Sequence, residues 1–304
     1  MAANFLSIGD TVLFLIILLP CIYLFVFAWA AARKENKYPK TAHKHRYAIL
    51  IPIGTDICEQ EYPQELYDLY HYETLSETVH ALDPEKYEMA VILGQGSSVP
   101  PFLLSSINEV YDAEITAIQL HHIIEPRSTR KLRYQAITEE VNQTIFRHGH
   151  IQMGLSSGCS SMDMAVELRW LQENLKSPKS NLAHKLLQQN IFIEYLSQVS
   201  VSSPTAHTLP HTISRRKALS TALEAAIIGQ WSYADKLFQR LIPSWKTLLI
   251  IIAVLAVATT SYNLFAAVKW WMLLLWLLFT ISLAIPDYLI EDKKKRRNPK
   301  PVKI

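Results

Sequence analysis

The sequence predicts an α/β domain on the cytoplasmic side of a membrane, held between one amino-terminal and two carboxyl-terminal transmembrane helices. Two observations predict the α/β class: short runs of β-branched and other apolar residues are typical of buried strands, and segments with helical apolar spacing follow them. A third observation, long apolar stretches near both ends of the 304-residue chain, predicts the membrane part.

The first membrane span is predicted from Thr11 to Ala32, a stretch without a charged residue. At ~1.5 Å per residue its length covers a hydrocarbon core of about 30 Å. The chain start lacks the basic residues and short apolar core of a secretory signal, so we expect a retained anchor. A basic cluster follows at once, formed by Arg33, Lys34, Lys37, Lys40, Lys44 and Arg46. The positive-inside rule then places residues 1–10 outside and residues 33–230 in the cytoplasm.

Two further spans are predicted at residues 247–268 and 270–290, parted by Lys269, and a basic tail at residues 291–304 returns to the cytoplasmic side. The expected topology is therefore multi-pass in the cytoplasmic (inner) membrane, with the amino terminus outside and the carboxyl terminus inside. Residues 231–245 predict an amphipathic helix that suits the membrane interface. A helix packed against the domain core is the alternative for this segment.

The composition and the distribution of charge indicate which class of partner the protein binds. Half of the residues are apolar, the net charge is only +3, and the basic residues gather at the membrane-proximal ends. This distribution favours membrane lipid as a partner and excludes the basic surface expected of a nucleic-acid binder. The three cysteines, Cys21, Cys58 and Cys159, form no C-x-x-C pair and no disulfide framework, which predicts free thiols.

The central strand is predicted at Met89–Leu93, followed by the loop Gly94-Gln95-Gly96-Ser97 and a helix that begins near Pro100. In an open α/β sheet, ligands bind at the carboxyl ends of the strands, so this loop occupies a position where chemistry is expected. The loop carries no charge that could hold a metal ion or a phosphate.

The remaining domain elements follow from the same patterns. We expect strands at 47–53, 114–122 and near the end of 182–196, and helices at 61–82, 131–146, 165–175 and the start of 182–196. Because a whole βαβ unit needs ~30 residues or more, only about one helix fits between Ile53 and Met89. The half of the domain that would bind a nucleotide is therefore predicted to be shortened.

Several framework segments together resemble the membrane-bound family 2 glycosyltransferases. They are the strand, loop and helix from Met89, the segment Ile137–His150, the Gly-Leu-Ser-Ser sequence at 154–157, and the approach to the membrane at 231–245. The resemblance covers most of the chain. It implies a reduced nucleotide-sugar-transferase-like fold of GT-A, Rossmann-like type, joined to three transmembrane helices.

The resemblance also implies where catalytic residues should stand, and these positions are vacant or changed. Gly94 and Gly96 take the places of the cation-binding Asp-x-Asp motif. No Asp or Glu occurs between Glu173 and Glu194, where the family has its catalytic base. On the Gln-x-x-Arg-Trp frame, the changed positions are Ser214 for Gln, Lys217 for Arg and Ala218 for Trp, with Arg215 and Arg216 retained. Asp56 is a candidate remnant of the nucleotide contact.

Two other motifs offer alternative chemistry. Gly154-Leu-Ser156-Ser-Gly158 fits the G-x-S-x-G nucleophile elbow of hydrolases, with Asp163 and a later histidine, His184, His207 or His211, in the matching order. An elbow needs a strong strand before it, and residues 150–153 are a weak one, so the family match explains these residues better. The pairs His121-His122 and His148/His150 lack a supporting ligand at a metal-site spacing, which favours solvated or capping histidines.

These observations lead to a pseudo-glycosyltransferase as the first hypothesis: an inactive membrane protein that acts as scaffold or regulator beside an active bacterial glycosyltransferase or polysaccharide-assembly protein, in polysaccharide or glycolipid synthesis. No cofactor is expected. The alternative is an active inverting transferase in which Arg215, Arg216 and Lys217 neutralise the diphosphate and Asp56 or Asp163 is the base. Mg²⁺ or Mn²⁺ is expected as a cofactor only if this active-transferase alternative holds. A third hypothesis is a domain that simply binds a partner.

Overall fold

The computed structural model describes residues 2–33, 38–55, 57–160, 162–176, 181–204, 215–261, 263–286 and 288–289; the predicted basic tail at 291–304 lies outside them. The strands are β1 (Tyr47–Pro52), β2 (Tyr67–Tyr72), β3 (Met89–Ile92), β4 (Ala117–Ile124), β5 (Met164–Glu167) and β6 (Ile193–Ser203). The helices are α1 (Ala2–Ala31), α2 (Leu75–Ala81), α3 (Leu103–Tyr111), α4 (Arg130–Gln143), α5 (Gly149–Gln152), α6 (Leu168–Asn174), α7 (Leu182–Gln188), α8 (Arg215–Ile227), α9 (Trp231–Gln239), α10 (Trp245–Thr260) and α11 (Leu264–Leu283).

The strands form one six-stranded sheet in the order β2-β1-β3-β5-β4-β6. β1 is parallel to β2 and β3, β4 is parallel to β6, and β5 runs antiparallel between β3 and β4. Five strands therefore point the same way, and their carboxyl ends lie along one edge. Because β5 runs against them, its amino-terminal end lies at that edge too.

Alternation along β1 supplies two apolar cores, one on each face of the sheet. Ile49 packs with residues of α3 on one face, whereas Leu50 packs with residues of α6, α7 and α9 on the other. Helices thus cover both faces, which is why β1 and β3 consist of almost uninterrupted apolar residues.

Two predicted helices are partly strands. Residues 61–82 contain β2 and the short helix α2, so one βα unit fits where one helix was expected. Pairing with β1 decides this, because all of β2 from Tyr67 to Tyr72 lies in parallel register beside β1. The Tyr72 hydroxyl also donates a hydrogen bond to the Leu93 carbonyl, just after β3, at 3.0 Å. Likewise, residues 165–175 divide into β5 and α6. Ala165 pairs with Val91 on one side and Ile118 on the other, and this double pairing outweighs the local helical pattern.

Three apolar helices, α1, α10 and α11, pack together and also contact Val141 and Ile145 of the domain. Residues 8–31 and 264–283 are long and apolar enough to cross a membrane, whereas α10 has 16 residues. The count of three spans therefore remains a prediction. The predicted break at Lys269 falls inside α11; α10 ends at Thr260, and Asn263 is the N-cap of α11. Lys269 can lie within a helix because it forms an ion pair with Asp10 of α1.

The helix α1 is fixed directly onto the domain. Gly149 stands so close to α1 that a Cβ there would lie 2.3 Å from the carbonyl oxygen of Phe27. The Tyr23 hydroxyl donates to Asp235 Oδ1 at 2.7 Å and lies 3.0 Å from His150 Nε2. Asp235, on α9, is nearly buried, with 12% of its side chain exposed. One face of α9, with Tyr233, Ala234 and Leu237, packs into the domain core, and the placement of residues 231–245 at the membrane interface stays a prediction.

Candidate functional site at the carboxyl edge of the sheet

Four segments meet at the carboxyl edge of the sheet. They are the loop 94–97 after β3, the second half of β4 with His122, the residue Asp163 before β5, and the end of β6 with Ser203. The first and last of these are joined by backbone, since Ser98 and Ser202 exchange hydrogen bonds of 2.7 and 2.9 Å. The backbone of the protein therefore bridges this edge, from the loop after β3 to the end of β6.

Asp163 is the polar centre of this edge and is fully buried. Its Oδ1 accepts hydrogen bonds from the Gly94 amide and the Ser97 hydroxyl, both at 3.1 Å. Its Oδ2 lies 2.8 Å from His122 Nδ1. Because a carboxylate only accepts, this distance requires a proton on Nδ1. Asp163 thus ties the loop after β3 to β4, and its own backbone adopts a left-handed conformation with φ of 54°.

The two glycines of the loop have different roles. The Gly94 amide donates to Asp163, whereas the Gly96 amide donates to Thr55 Oγ1 at 3.0 Å, which links the loop to the end of β1. Gly96 has φ of 68°, and a Cβ there would lie 3.3 Å from Pro204 Cδ. A side chain at Gly96 would therefore meet both backbone strain and Pro204. The loop that the resemblance assigns to cation ligands is built here as a packed turn.

His122 is held from both ends. The Gln143 side chain accepts from the His122 amide at 3.0 Å and donates to its carbonyl at 2.6 Å. On the far side of the ring, His122 Nε2 lies 3.4 Å from Ser203 Oγ. Asp163, His122 and Ser203 thus have the connectivity of a Ser-His-Asp triad. All three residues are buried.

A second buried carboxylate stands on α4 beside the edge. Glu140 lies 3.1 Å from His121 Nε2 and accepts from the Tyr288 hydroxyl at 2.6 Å. The Arg127 guanidinium stacks 5.2 Å from the centre of the Tyr288 ring and pairs with Glu125 at 3.1 Å. Neither His121 nor His122 is a solvated histidine, which corrects that prediction. Each is paired with a carboxylate that lies far away in sequence.

An open cavity of about 510 Å³ lies at this edge and is lined by Gly96, Ser98, Glu125, Pro126, Arg127, Ser202, Ser203 and Pro204. Its charged side chains are Glu125 and Arg127, which neutralise each other. Within the described residues, the cavity therefore offers hydroxyl groups and one ion pair. It does not offer the paired carboxylates that a divalent cation bound to a diphosphate would need.

A second cavity, of about 470 Å³, lies where the domain meets α10 and is lined among others by Cys159, His184, Lys236, Arg240 and Trp245. Lys236 donates to the Phe146 carbonyl at 3.1 Å. Burial lowers the pKa of Lys236 to about 8, against the opposing effect of the Asp235 carboxylate. Burial raises the pKa of Cys159 to about 12, so this thiol is unreactive at neutral pH.

The remaining predicted site residues are only partly described. Asp56 and Ser214 lie outside the described residues, and Arg215 and Arg216 begin α8, but their side chains lie outside the description. Lys217 is exposed on α8, whereas Ala218 is fully buried where the resemblance places a tryptophan. Of the three predicted basic residues Arg215, Arg216 and Lys217, the structure therefore describes only the Lys217 side chain, which is exposed.

The G-x-S-x-G segment is not a nucleophile elbow. The helix α5 precedes it instead of a strand, and Ser156 Oγ accepts a hydrogen bond from the Ile193 amide at 2.9 Å. The later histidine His184 contacts the Tyr233 hydroxyl, while Asp163 pairs with His122. Ser156 instead joins the turn after α5 to β6.

Sequence reasoning missed three arrangements: the His122–Asp163 pair, the Glu140 cluster and the Tyr23–Asp235 link between α1 and α9. Each joins residues at least 19 positions apart, so no local spacing shows it. Sequence reasoning also missed a fourth arrangement, around His43 and His45, although the spacing of these two histidines is a local signal. Two histidines at i and i+2 on an extended segment point to the same side, a spacing that metal sites use.

Comparison with known proteins gives a likeness in structure and none in sequence. No protein-family model matches the chain, and no curated protein matches it in sequence. Among solved structures it is similar to a glycosyltransferase, the mannosyltransferase PcManGT from Pyrobaculum calidifontis in complex with GDP-Man and Mn2+. The two share 12% identity over 91% of this chain and 96% of that one, with a TM-score of 0.43. A match this distant says nothing of activity, ligand or metal, and membership of family 2 stays a prediction.

Proposed function

We propose that this protein is a membrane-anchored, glycosyltransferase-like protein of the family 2 type that has lost metal-dependent sugar transfer and acts as a scaffold or regulator. One observation carries the proposal. At the carboxyl edge, the loop 94–97 is a packed turn, and the buried carboxylate beside it, Asp163, directs both oxygens inward to Gly94, Ser97 and His122.

The physical reason is that one carboxylate cannot serve both purposes. A cation that bridges a diphosphate needs carboxylate oxygens directed outward, at about 2.0–2.6 Å from the ion. Turning Asp163 outward would leave the Gly94 amide and the His122 Nδ1 proton without this acceptor in the protein interior, which costs several kcal/mol. The edge is therefore built for stability of the loop and not for cation binding.

The membrane part supports an anchored protein. The helices α1, α10 and α11 each present large apolar side chains outward, among them Leu19, Val254 and Phe279. A continuous apolar surface of this kind requires lipid or a protein partner around it. We propose a multi-pass protein of the bacterial inner membrane, with the amino terminus outside and the basic cluster after α1 on the cytoplasmic side. Its expected partners are lipid and an active glycosyltransferase or polysaccharide-assembly protein.

The proposal is tested by the thermal stability of the full chain in lipid nanodiscs. The ligands are UDP- and GDP-sugars, including GDP-Man, each with and without Mn²⁺ or Mg²⁺, and the metal alone is the control. A ligand at about 100 times its dissociation constant stabilises the folded state by about 2.7 kcal/mol, which raises the melting temperature by several degrees. We expect no nucleotide-dependent rise.

A metal-dependent rise together with sugar transfer would refute the loss of activity. A metal-independent rise that disappears in Arg216→Ala would establish the alternative, a transferase that uses its basic cluster. Glu224→Ala is the comparison variant, because Glu224 is exposed on the same helix and lies outside the cluster Arg215, Arg216 and Lys217.

A further inference from the structure

Two histidines and an aspartate meet at the amino-terminal edge of the sheet, opposite the site described above. His43 and His45 precede β1, and Asp112 ends α3. His43 Nδ1 lies 3.1 Å from His45 Nε2, and Asp112 Oδ1 lies 3.7 Å from the first nitrogen and 3.5 Å from the second. Three potential ligand atoms of the types that transition metals prefer thus form a small triangle.

The size of this triangle matches a coordination site. In a tetrahedral zinc site with bonds of about 2.1 Å, neighbouring donor atoms lie about 3.4 Å apart. The three distances lie within about 0.3 Å of that value. A point near the centre of the triangle is therefore at bonding distance from all three atoms, without a change of backbone.

The backbone of the histidine segment is fixed by one buried side chain of α3. Asn108 Oδ1 accepts from the His45 amide at 3.0 Å, and Asn108 Nδ2 donates to the His43 carbonyl at 2.7 Å. The hydroxyls of Tyr47 and Tyr62 also donate to Asn108 Oδ1 and hold its amide in this orientation. Asp112 lies one helical turn after Asn108, so the same helix that positions the histidines also presents the carboxylate to them.

A second carboxylate orients the central ligand. His45 Nδ1 hydrogen-bonds to the carboxylate of Glu88, just before β3. With its proton on Nδ1, His45 presents the lone pair of Nε2 to His43 and Asp112. A carboxylate behind a ligating histidine is the usual outer-shell arrangement of metal sites, because it fixes the tautomer and raises the basicity of the ring.

We propose that His43, His45 and Asp112 bind a divalent transition-metal ion, with zinc as the best-fitting ion and Glu88 as a positioning residue. His45 is largely shielded, with 12% of its side chain exposed, whereas 67% of His43 and 36% of Asp112 are exposed. The open side leaves room for water to complete the coordination. The site is independent of the carboxyl edge and of any activity there.

The test is zinc binding to the full chain, purified without a histidine tag and stripped with a chelator. Calorimetry with ZnCl₂ at pH 7.5 is expected to show one saturable site, and Co²⁺ is expected to give visible absorption bands of a low-coordinate site. His43→Ala and Asp112→Asn should each weaken binding at least about tenfold, and Glu88→Gln about 10–100-fold. His71→Ala, which removes an exposed histidine of β2, should bind as the wild type does.

His43 and Asp112 are exposed, so their variants are expected to keep the wild-type melting temperature without metal. The result that overturns the proposal is a chain without a saturable zinc site. Equal binding by His43→Ala, Asp112→Asn and wild type would overturn it too. In either case the cluster is a network of polar contacts among His43, His45, Asp112 and Glu88 that binds no metal ion.

Discussion

Replacing Asp163 tests whether the carboxyl edge is a structural link. Asp163→Ala removes the acceptor from three buried donors: the Gly94 amide, the Ser97 hydroxyl and His122 Nδ1. A buried donor that loses its acceptor costs about 1–3 kcal/mol, and removing one member of a buried pair costs about 3–5 kcal/mol. We therefore expect a loss of about 3–5 kcal/mol. At about 2–4 °C per kcal/mol for a domain of this size, the melting temperature should fall by about 6–20 °C.

Two further variants separate the causes of this loss. Asp163→Asn keeps one oxygen for Gly94 and Ser97 and tolerates the left-handed backbone, but its amide requires the other tautomer of His122, so we expect a smaller loss of about 1–2 kcal/mol. Asp163→Gly relieves the backbone strain without restoring the acceptor and should melt near the alanine variant. Glu77→Ala, an exposed change on α2, is the control.

The assay is thermal unfolding of the full chain in detergent, followed by tryptophan fluorescence. The reasoning is refuted if Asp163→Ala melts within about 2 °C of the wild type. It is equally refuted if the asparagine variant is as unstable as the alanine variant. The first result would mean that Asp163 is not committed to the loop and remains available for chemistry. The second would mean that its pairing with His122, and not its bonds to the loop, carries the stability.

Two other changes give sharp expectations. Gly149→Ala places a Cβ 2.3 Å from the Phe27 carbonyl oxygen, and such overpacking costs about 1–3 kcal/mol. The control is Gly158→Ala, where the atom nearest to the added Cβ is 3.8 Å away, so Gly149→Ala should have the clearly lower melting temperature of the two. Equal melting temperatures would contradict the close packing of α1 against Gly149. For Lys236, the folded-state pKa of about 8 lies below its unfolded value, so the unfolded chain binds more protons between pH 8 and 10 and this residue's contribution to stability rises with pH. The stability difference between wild type and Lys236→Met should therefore change in favour of the wild type by about 2 kcal/mol from pH 8 to 9.5, and a difference independent of pH would refute the lowered pKa.

Local patterns sufficed for the elements whose environment is uniform. The strands β1 and β3 are buried on both faces, so their apolar runs identify them without knowledge of their neighbours. The long helix α1 is visible for the same reason, since residues 8–31 are apolar at nearly every position. The sequence also shows directly that Gly94 and Gly96, and no carboxylate, follow β3 in the loop 94–97.

The tertiary structure alone decided the partners of the polar residues and the two strands that local spacing concealed. β5 has only four residues, and it is a strand because Ala165 is paired on both sides by chain about 47 and 74 positions away. Lys236 appears solvated in the helical pattern of α9 but is buried by its packing against Phe146 and Asp235. His122 and Asp163 become a pair only where β4 and β5 meet at the carboxyl edge. A sequence determines which groups must be buried or satisfied, and the fold determines which distant group satisfies them.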